Sequence, residues 1–371
     1  MLKPIAASDV IIGKPIEEAL YDSDGRLLLT KGAVANSEIK NKLVQRGHKV
    51  VTPGAATLAT KPTHSAPPSD SIFATTQHAA HTLSIILDDF LAGRHTTVFT
   101  ERIQSLAKRL LQACQTDPEA VIAAIHLFHE GEYTIRHHLS VGVVTALLAQ
   151  ADERISEEEA LLLVCAAITH DIGIIHVANN EAKLSDQHKA LIQRHPVMSS
   201  TALRQAGVTE PLWLQTVEQH HERLDGSGYP QGLSGSAIGL HSRLLAVADV
   251  YCAMTRPRPY RPRAYFAMAA MRDLYVGQSQ QLDHALIQLL IKTLGLTPPG
   301  SLVKLKNGET AVVKKCSTQG TPLSYALMTE TGTPIMPPER RDTRDKHLAI
   351  VGRVEPEDCQ HLQALIRSLW A

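Results

Sequence analysis

The chain has 371 residues, enough for two or three domains. Its 37 Lys and Arg balance 37 Asp and Glu, and only 4% of residues are aromatic, which argues against a nucleic-acid polymer or a membrane surface as the main partner. Apolar residues, at 44%, suffice for real cores; the five scattered cysteines form no CxxC, which argues against a disulfide framework.

Residues 1–55 read as a small β-rich unit. Asp24-Gly25 separates IEEALYDS from RLLLTKG, a hairpin signal, and Ser37 to Gly47 could form one short helix. The start, MLKPIAASDV, lacks a basic stretch followed by an apolar one, so a cytoplasmic protein is expected. No apolar run reaches the roughly 18 residues needed to span a bilayer, so no membrane segment is expected. The Pro-, Ala-, Thr- and Ser-rich run from Pro53 to Asp70 predicts a linker over 56–70.

Residues 71–297 show apolar positions every three or four residues, as in HLSVGVVTALLAQ and EEEALLLVCAAITH, which predicts a helical domain. Met268 and Met271, at helical spacing, are read as core. Residues 298–371 change character. Pro298-Pro299-Gly300 breaks the helical pattern, SLVKL and ETAVVKK flank Asn307-Gly308, and LSYALMTE and TPIM flank Thr331-Gly332. A second small β unit is expected there, closed by a helix over Glu357–Trp370.

Histidine is the composition's outlier. Of 19, eleven lie between His126 and His241, where even spreading would put about six. His137, His170, Asp171, His195, His220, His221 and Asp249 each lie in or beside an apolar helical stretch, where burying them is costly unless they are satisfied. Imidazoles with carboxylates are a ligand set for iron, manganese or zinc. Adjacent residues such as His170 and Asp171 point about 100° apart on a helix and can serve two neighbouring metals. Two metals about 3.5–4 Å apart suit phosphodiester hydrolysis.

ITHDIG at 168–173, HHERLDGSGYP at 220–230 and SRLLAVADVYCAMTRPRPYR at 242–261 resemble the HD-GYP family of metal-dependent phosphohydrolases; YTIRHHLSVGV at 133–143 and HPVMSS at 195–200 resemble its other ligand helices. The resemblance covers roughly residues 125–275. It implies a mainly α fold, an all-helical HD-type bundle, here with small β-rich N-terminal and C-terminal units. It implies a cyclic di-GMP phosphodiesterase that makes linear pGpG or GMP with a metal-bound hydroxide. Carried over residue by residue, His137, His170, Asp171, His195, His220, His221 and Asp249 are the metal ligands, with Asp171 bridging two ions. Iron or manganese is expected, with zinc as a further option. Some members hold a third ion with a Glu where this chain has Tyr133, which favours two.

Asp225, Gly228, Tyr229 and Pro230 form a Gly-rich turn expected to line the substrate pocket, with Tyr229 either stacking on a guanine or meeting a signalling protein. RPRPYRPR at 256–263 offers Arg forks for phosphates, Arg258 foremost, or a solvated loop. Arg136 faces either a phosphate or solvent. Glu222 and Arg223 support the ligands or form a helix-surface ion pair. His138 adjoins the first ligand, and His126, His129, His176 and His241 are read as surface or supporting groups. Ser185 keeps a helix cap, with His188 in place of the usual Glu, read either as loss of half the cap or as an extra metal ligand.

Two departures from the family pattern lie on the substrate side. Ile174 replaces the usual lysine, removing a charge-assisted hydrogen bond of roughly 1.5–3 kcal/mol. The following stretch is about four residues short; Asn180 stands where a lysine is usual, with Lys183 nearby. Metal binding is expected intact, with turnover slowed or substrate preference shifted. The rival readings are a catalytically weakened or inactive cyclic-dinucleotide receptor and a phosphodiesterase for another cyclic dinucleotide. A homodimer is also entertained.

Overall fold

The structure, a computed structural model, describes residues 2–4, 20–21, 27–29, 48–50, 71–94, 98–127, 131–175, 186–256, 265–278, 280–315 and 322–370, with side chains described from residue 71 onward except 186–189, 357 and 360. The Asp24-Gly25 turn, the expected helix at Ser37–Gly47 and the 56–70 linker lie outside them. So do Arg258, Arg261, Arg263, His129, His176, Asn180, Lys183 and Ser185, and the side chain of His188.

The chain forms two compact units, Met1–Ala66 and Pro67–Ala371. The first carries four short antiparallel strands, β1 (Leu2–Pro4), β2 (Leu20–Tyr21), β3 (Leu27–Leu29) and β4 (His48–Val50), in the order β1-β4-β2-β3. Strands β2 and β3 pair Leu20 with Leu29, so they are antiparallel on either side of Asp24-Gly25.

The second unit is built on helices. α1 (Ile72–Leu91) starts at Ser71, whose hydroxyl accepts from the Ala74 amide at 3.2 Å. α2 (Phe99–Thr116) buries Ile103, Leu106, Ala107 and Leu110, the three-and-four spacing of a one-faced helix. α3 (Pro118–Leu127) leads to α4 (Tyr133–Ala151), buried on nearly every side from His137 to Ala149. α4 is therefore the central rod, packed by α2, α3 and the next helices, α5 (Glu157–Ala167) and α8 (Leu240–Met254). Ser156 and Glu159 cap α5 reciprocally. Between α5 and α8 come a 3₁₀ turn (Ile172–Ile174), α6 (Asp186–Gln205) and α7 (Pro211–Gln219). Buried Trp213 of α7 donates its indole N–H to Thr169 Oγ1 at 2.9 Å, locking α7 to the turn that carries His170.

α9 (Ala267–Gly277) and α10 (His284–Leu294) complete the helical part. Met271 is in the core as expected. Met268 is 40% exposed, because α9 buries only the stripe Ala267, Ala270, Met271 and Leu274.

The C-terminal strands are β5 (Leu302–Leu305), β6 (Thr310–Lys315), β7 (Leu323–Met328), β8 (Pro334–Asp342) and β9 (Ile350–Arg353), antiparallel in the order β8-β7-β6-β5-β9. The turns at Asn307-Gly308 and Thr331-Gly332 fall between β5 and β6 and between β7 and β8. β8 is longer than the sequence suggested despite Pro337 and Pro338; it is an edge strand, where a missing N–H is tolerated. Leu302, Val312 and Leu327 pack against Cys359, Leu362 and Ile366 of the terminal segment and against Leu127 of α3. The sequence pattern predicts one helix for that segment. It is a 3₁₀ stretch (Pro356–Leu362), a short α11 (Gln363–Arg367) and a last 3₁₀ turn (Ser368–Trp370); its winding follows the spacing of the residues that seat it on the sheet.

Candidate metal centre

Seven side chains from five places in the sequence converge at one end of the helices. His137 comes from the first turns of α4, His170 and Asp171 from the end of α5, His195 from the middle of α6, His220 and His221 from the end of α7, and Asp249 from α8. Asp171 Oδ2 is 3.2 Å from His170 Nε2, and Asp171 Oδ1 is 2.9 Å from His195 Nε2 and 3.7 Å from His220 Nε2. Asp249 Oδ1 is 3.0 Å from His137 Nε2 and 3.9 Å from His170 Nε2. Two groups of donor atoms result, Asp171 with His195, His220 and His221, and Asp171 with His137 and His170. Asp171 belongs to both, one oxygen toward each.

Three of the imidazoles are aimed by backbone carbonyls. His170 Nδ1 donates to Ala167 O (2.8 Å), His195 Nδ1 to Ile192 O (2.5 Å) and His220 Nδ1 to Val217 O (2.6 Å). A carbonyl only accepts, so Nδ1 carries a proton in each, and Nε2 points inward. Helix ends leave carbonyls without intrahelical partners, which serves His170 at the end of α5 and His220 at the end of α7. His195 is inside α6, where carbonyls are normally taken. The next residue, Pro196, has no N–H to give Ile192 O, and the carbonyl is left for the imidazole. His137, deep in a regular helix, has no such carbonyl, and its buried Nδ1 has no partner. Its ring is held instead by Tyr133, stacked at 5.6 Å and 9°, and by Asp249.

The donor set fits divalent cations. His195 and His220 face each other Nε2 to Nε2 at 3.2 Å, two lone pairs that a shared cation would reconcile. His170 Nε2 and Asp171 Oδ1 are buried without a hydrogen bond. Burial keeps His137 and His220 below the usual imidazole value, against the pull of Asp249 and Asp171 respectively, and His221 well below it. Neutral imidazoles are what a metal requires. Burial also disfavours charge on His170, but the Asp171 carboxylate outweighs it and raises the group to about 9. Burial would raise Asp171 itself, yet His170 and His195 hold it well below the carboxylate range. The imidazoles of His170, His195 and His220 are sealed, whereas the Asp171 side chain is 22% exposed, so the centre opens on the Asp171 carboxylate.

The Gly-Tyr-Pro loop lies beside this centre. Tyr229 packs its ring on His221 (4.8 Å, 33°) and near His195 (6.3 Å), and its amide donates to His221 O. Buried Glu222 holds the loop. Its Oε1 accepts from the Gln231 amide (2.7 Å) and its Oε2 from the Leu233 amide (2.9 Å). Arg223 turns away to donate to His220 O and Glu222 O, so the two residues form no surface ion pair. Gly228 is required there: a Cβ would lie 2.4–2.6 Å from the backbone of Glu222 and Arg223. Gly173 plays the same part behind Asp171, where a Cβ would meet Ser199 N at 2.7 Å. Asp225 is exposed and accepts from the Ser227 amide and hydroxyl, shaping the turn.

The other singled-out residues sort by burial. Ile174, in the place of the usual lysine, turns into the core. Arg256 is also buried and donates to Ile125 O at 2.7 Å, joining α8 to α3, so it is no part of a solvated loop. His126 donates to Ile122 O and accepts from Tyr251 Oη at 3.0 Å, bridging the same two helices. His241 is 3.5 Å from Glu159, and buried His138 packs its ring on His170 at 4.9 Å. The roles of Pro196, Glu222 and Tyr133 escaped sequence reasoning. The His-Pro and His-His-Glu words were visible; the atoms they serve were not.

Residues 119–286 match the HD domain family. The chain is 31% identical over 221 residues to a cyclic di-GMP phosphodiesterase of Pseudomonas aeruginosa, covering 58% of this chain and 52% of that protein. It is 36% identical over 136 residues to a 3'3'-cGAMP-specific phosphodiesterase of Vibrio cholerae, covering 36% of this chain and 31% of that one. It thus spans about half, or less, of these curated relatives. A solved HDG"Y"P protein from Bdellovibrio bacteriovorus matches in fold, with a TM-score of 0.52 and 15% identity, covering 78% of this chain and 98% of that one. Among the described residues no helix is long and apolar enough to cross a membrane.

Proposed function

We propose that this chain, whose residues 119–286 match the HD domain family, is a metal-dependent phosphodiesterase that opens cyclic di-GMP to linear pGpG or GMP. The observation that carries this reading is Asp171, with one oxygen toward His170 and the other toward His195 and His220. In this proposal His137, His170, Asp171, His195, His220, His221 and Asp249 would hold two ions, iron or manganese, with Asp171 contributing to both. Bound there, the ions would activate water and neutralise charge on the phosphodiester. The chain's own residues present Nε2 atoms of fixed tautomer, keep the ligand imidazoles out of water, and hold Tyr229 beside them. Tyr229 and Pro230 border an open cleft with Val197 and Met198, which suits a nucleobase or a signalling protein. Arg258 is retained as a phosphate contact, and Asp225 and Gly228 as the residues that shape the loop.

A second reading, a weakened enzyme or a cyclic-dinucleotide receptor, draws support from Ile174, which brings no charge to the substrate side. The relative specific for 3'3'-cGAMP supports that dinucleotide as an alternative substrate. The same proposal includes a cytoplasmic location, a homodimer and a catalytic domain over 71–297 that follows a 1–55 unit and a 56–70 linker and precedes a 298–371 unit. The deciding experiment is metal analysis of anaerobically purified protein followed by turnover of cyclic di-GMP and 3'3'-cGAMP. Product formation that Asp171→Ala abolishes supports the enzyme; metal-loaded protein that binds but never cleaves either dinucleotide supports the receptor. Protein that binds no divalent metal defeats both.

A further inference from the structure

Tyr133, Arg136, His137 and Ser140 are three and four residues apart and share one face of α4. Two guanidiniums gather on this face, beside the Tyr133 ring that stacks on His137. Arg256, buried at the end of α8, donates to the Ser140 hydroxyl, and that hydroxyl donates to Arg136 O at 2.7 Å. Arg256 thereby ties down the turn that carries Arg136 and His137. Tyr133, stacked on His137, is within electrostatic reach of the Arg136 guanidinium, and Arg136 within that of Arg256.

Arg136 is half-buried. Its Nε is sealed from solvent with no acceptor, and the residue forms no ion pair among the described residues. The carboxylates of Asp171 and Asp249 are engaged by imidazoles at 2.9–3.2 Å. A guanidinium is a rigid fork of donors, and partly burying it without an acceptor is unfavourable unless a ligand supplies one. The site is one residue from a metal-centre imidazole and already crowded with a second positive charge. An anion is the ligand that relieves both conditions.

We propose that Arg136 is a substrate-binding residue that receives phosphate oxygens of the dinucleotide on the His137 side of the centre, with Arg256 and Ser140 as its positioning residues. This rests on the reading of the protein as a cyclic-dinucleotide phosphodiesterase. It assigns one phosphate contact to the bundle itself, apart from the arginines that follow α8.

The test uses the metal-loaded full chain with Arg136→Gln and Arg136→Lys, metal content being measured for each. Inorganic phosphate is titrated calorimetrically, and cyclic di-GMP turnover is followed across substrate concentration. The expected result is unchanged metal content and a loss of about tenfold or more in phosphate affinity for Arg136→Gln. The matching loss in turnover is carried by KM, and Arg136→Lys recovers part of it, keeping the charge without the fork. Equal phosphate affinity and KM in Arg136→Gln at full metal content overturns the proposal. So does loss of metal in both variants, which marks Arg136 as structural. If the wild type cleaves no cyclic di-GMP, the functional reading fails, and the phosphate titration decides Arg136 by the same criteria.

Discussion

At the metal centre, charged and polar groups from α4, α5, α6, α7 and α8 meet within the core; in the C-terminal sheet, charge stays outside and pairs nearby. Arg341 on β8 forks onto Glu309 in the β5–β6 turn at 2.7 and 2.8 Å, both still touching solvent. Each member of that pair could lose its partner and rehydrate. Asp249 and the imidazoles of His170, His195 and His220, sealed among the helices, could not do so. The difference is the cost of leaving a polar atom without a partner, small at a wet surface and large in a core.

The largest effect is expected from Asp171→Ala, which takes an oxygen from both donor groups. Metal content per chain should fall toward zero and turnover by about a thousandfold or more; two ions retained per chain would break the account of Asp171 as a shared ligand. Its neighbour gives a pH test. His170 is raised to about 9, so the metal-free fold gains fully from the protonated imidazole below about 6.5 and loses that gain as pH rises through 9. Metal competes with the same proton, so metal affinity should strengthen over that window, as read by titration at fixed ionic strength.

Glu222→Ala comes next. It strips the acceptor from two amides, at about 1–3 kcal/mol each, and frees Tyr229 from His221. Urea unfolding should show a loss of about 2–6 kcal/mol, far above any pair in the sheet; a loss under about 1 kcal/mol would remove Glu222 as the clamp. Pro196→Ala separates fold from site. A proline inside a helix costs about 3 kcal/mol, so the variant should unfold no earlier than wild type. Its new N–H competes for Ile192 O, and metal affinity should drop about 10–100-fold. Unchanged affinity would show that His195 needs no carbonyl. The smallest effect is Glu309→Gln, about 1 kcal/mol or less. Arg341 holds Glu309 below its ordinary 4.5, so the pair's contribution is present above that value and lost as pH falls through the depressed one. Wild-type and variant stability curves should therefore converge in acid.

Much of this was legible along the chain. The helical stretches follow from apolar spacing, and the Asn307-Gly308 and Thr331-Gly332 turns from residues suited to tight turns; both are local properties of a segment. β9 was not foreseen: a four-residue strand such as Ile350–Arg353 has little pattern of its own and exists because β5 offers an open edge. Met268 was misplaced for a related reason. Helical spacing says that two methionines share a face, and only packing says how far the buried stripe extends.

The histidines divide the same way. Residue type and order singled out the seven groups, since imidazoles and carboxylates in apolar helices need a common explanation. Composition could not separate His137 from His138, adjacent and both buried; one faces Asp249, and the other packs its ring on His170. Nor could it show that Pro196 releases a carbonyl, that Glu222 serves the loop, or that Arg256 points inward while Arg136 keeps an unfilled donor. Side-chain type and periodicity are written locally, so the chemical inventory and the helices that carry it are legible along the chain. Which nitrogen and oxygen atoms converge depends on the packing of helices distant in sequence, and only the folded molecule shows it.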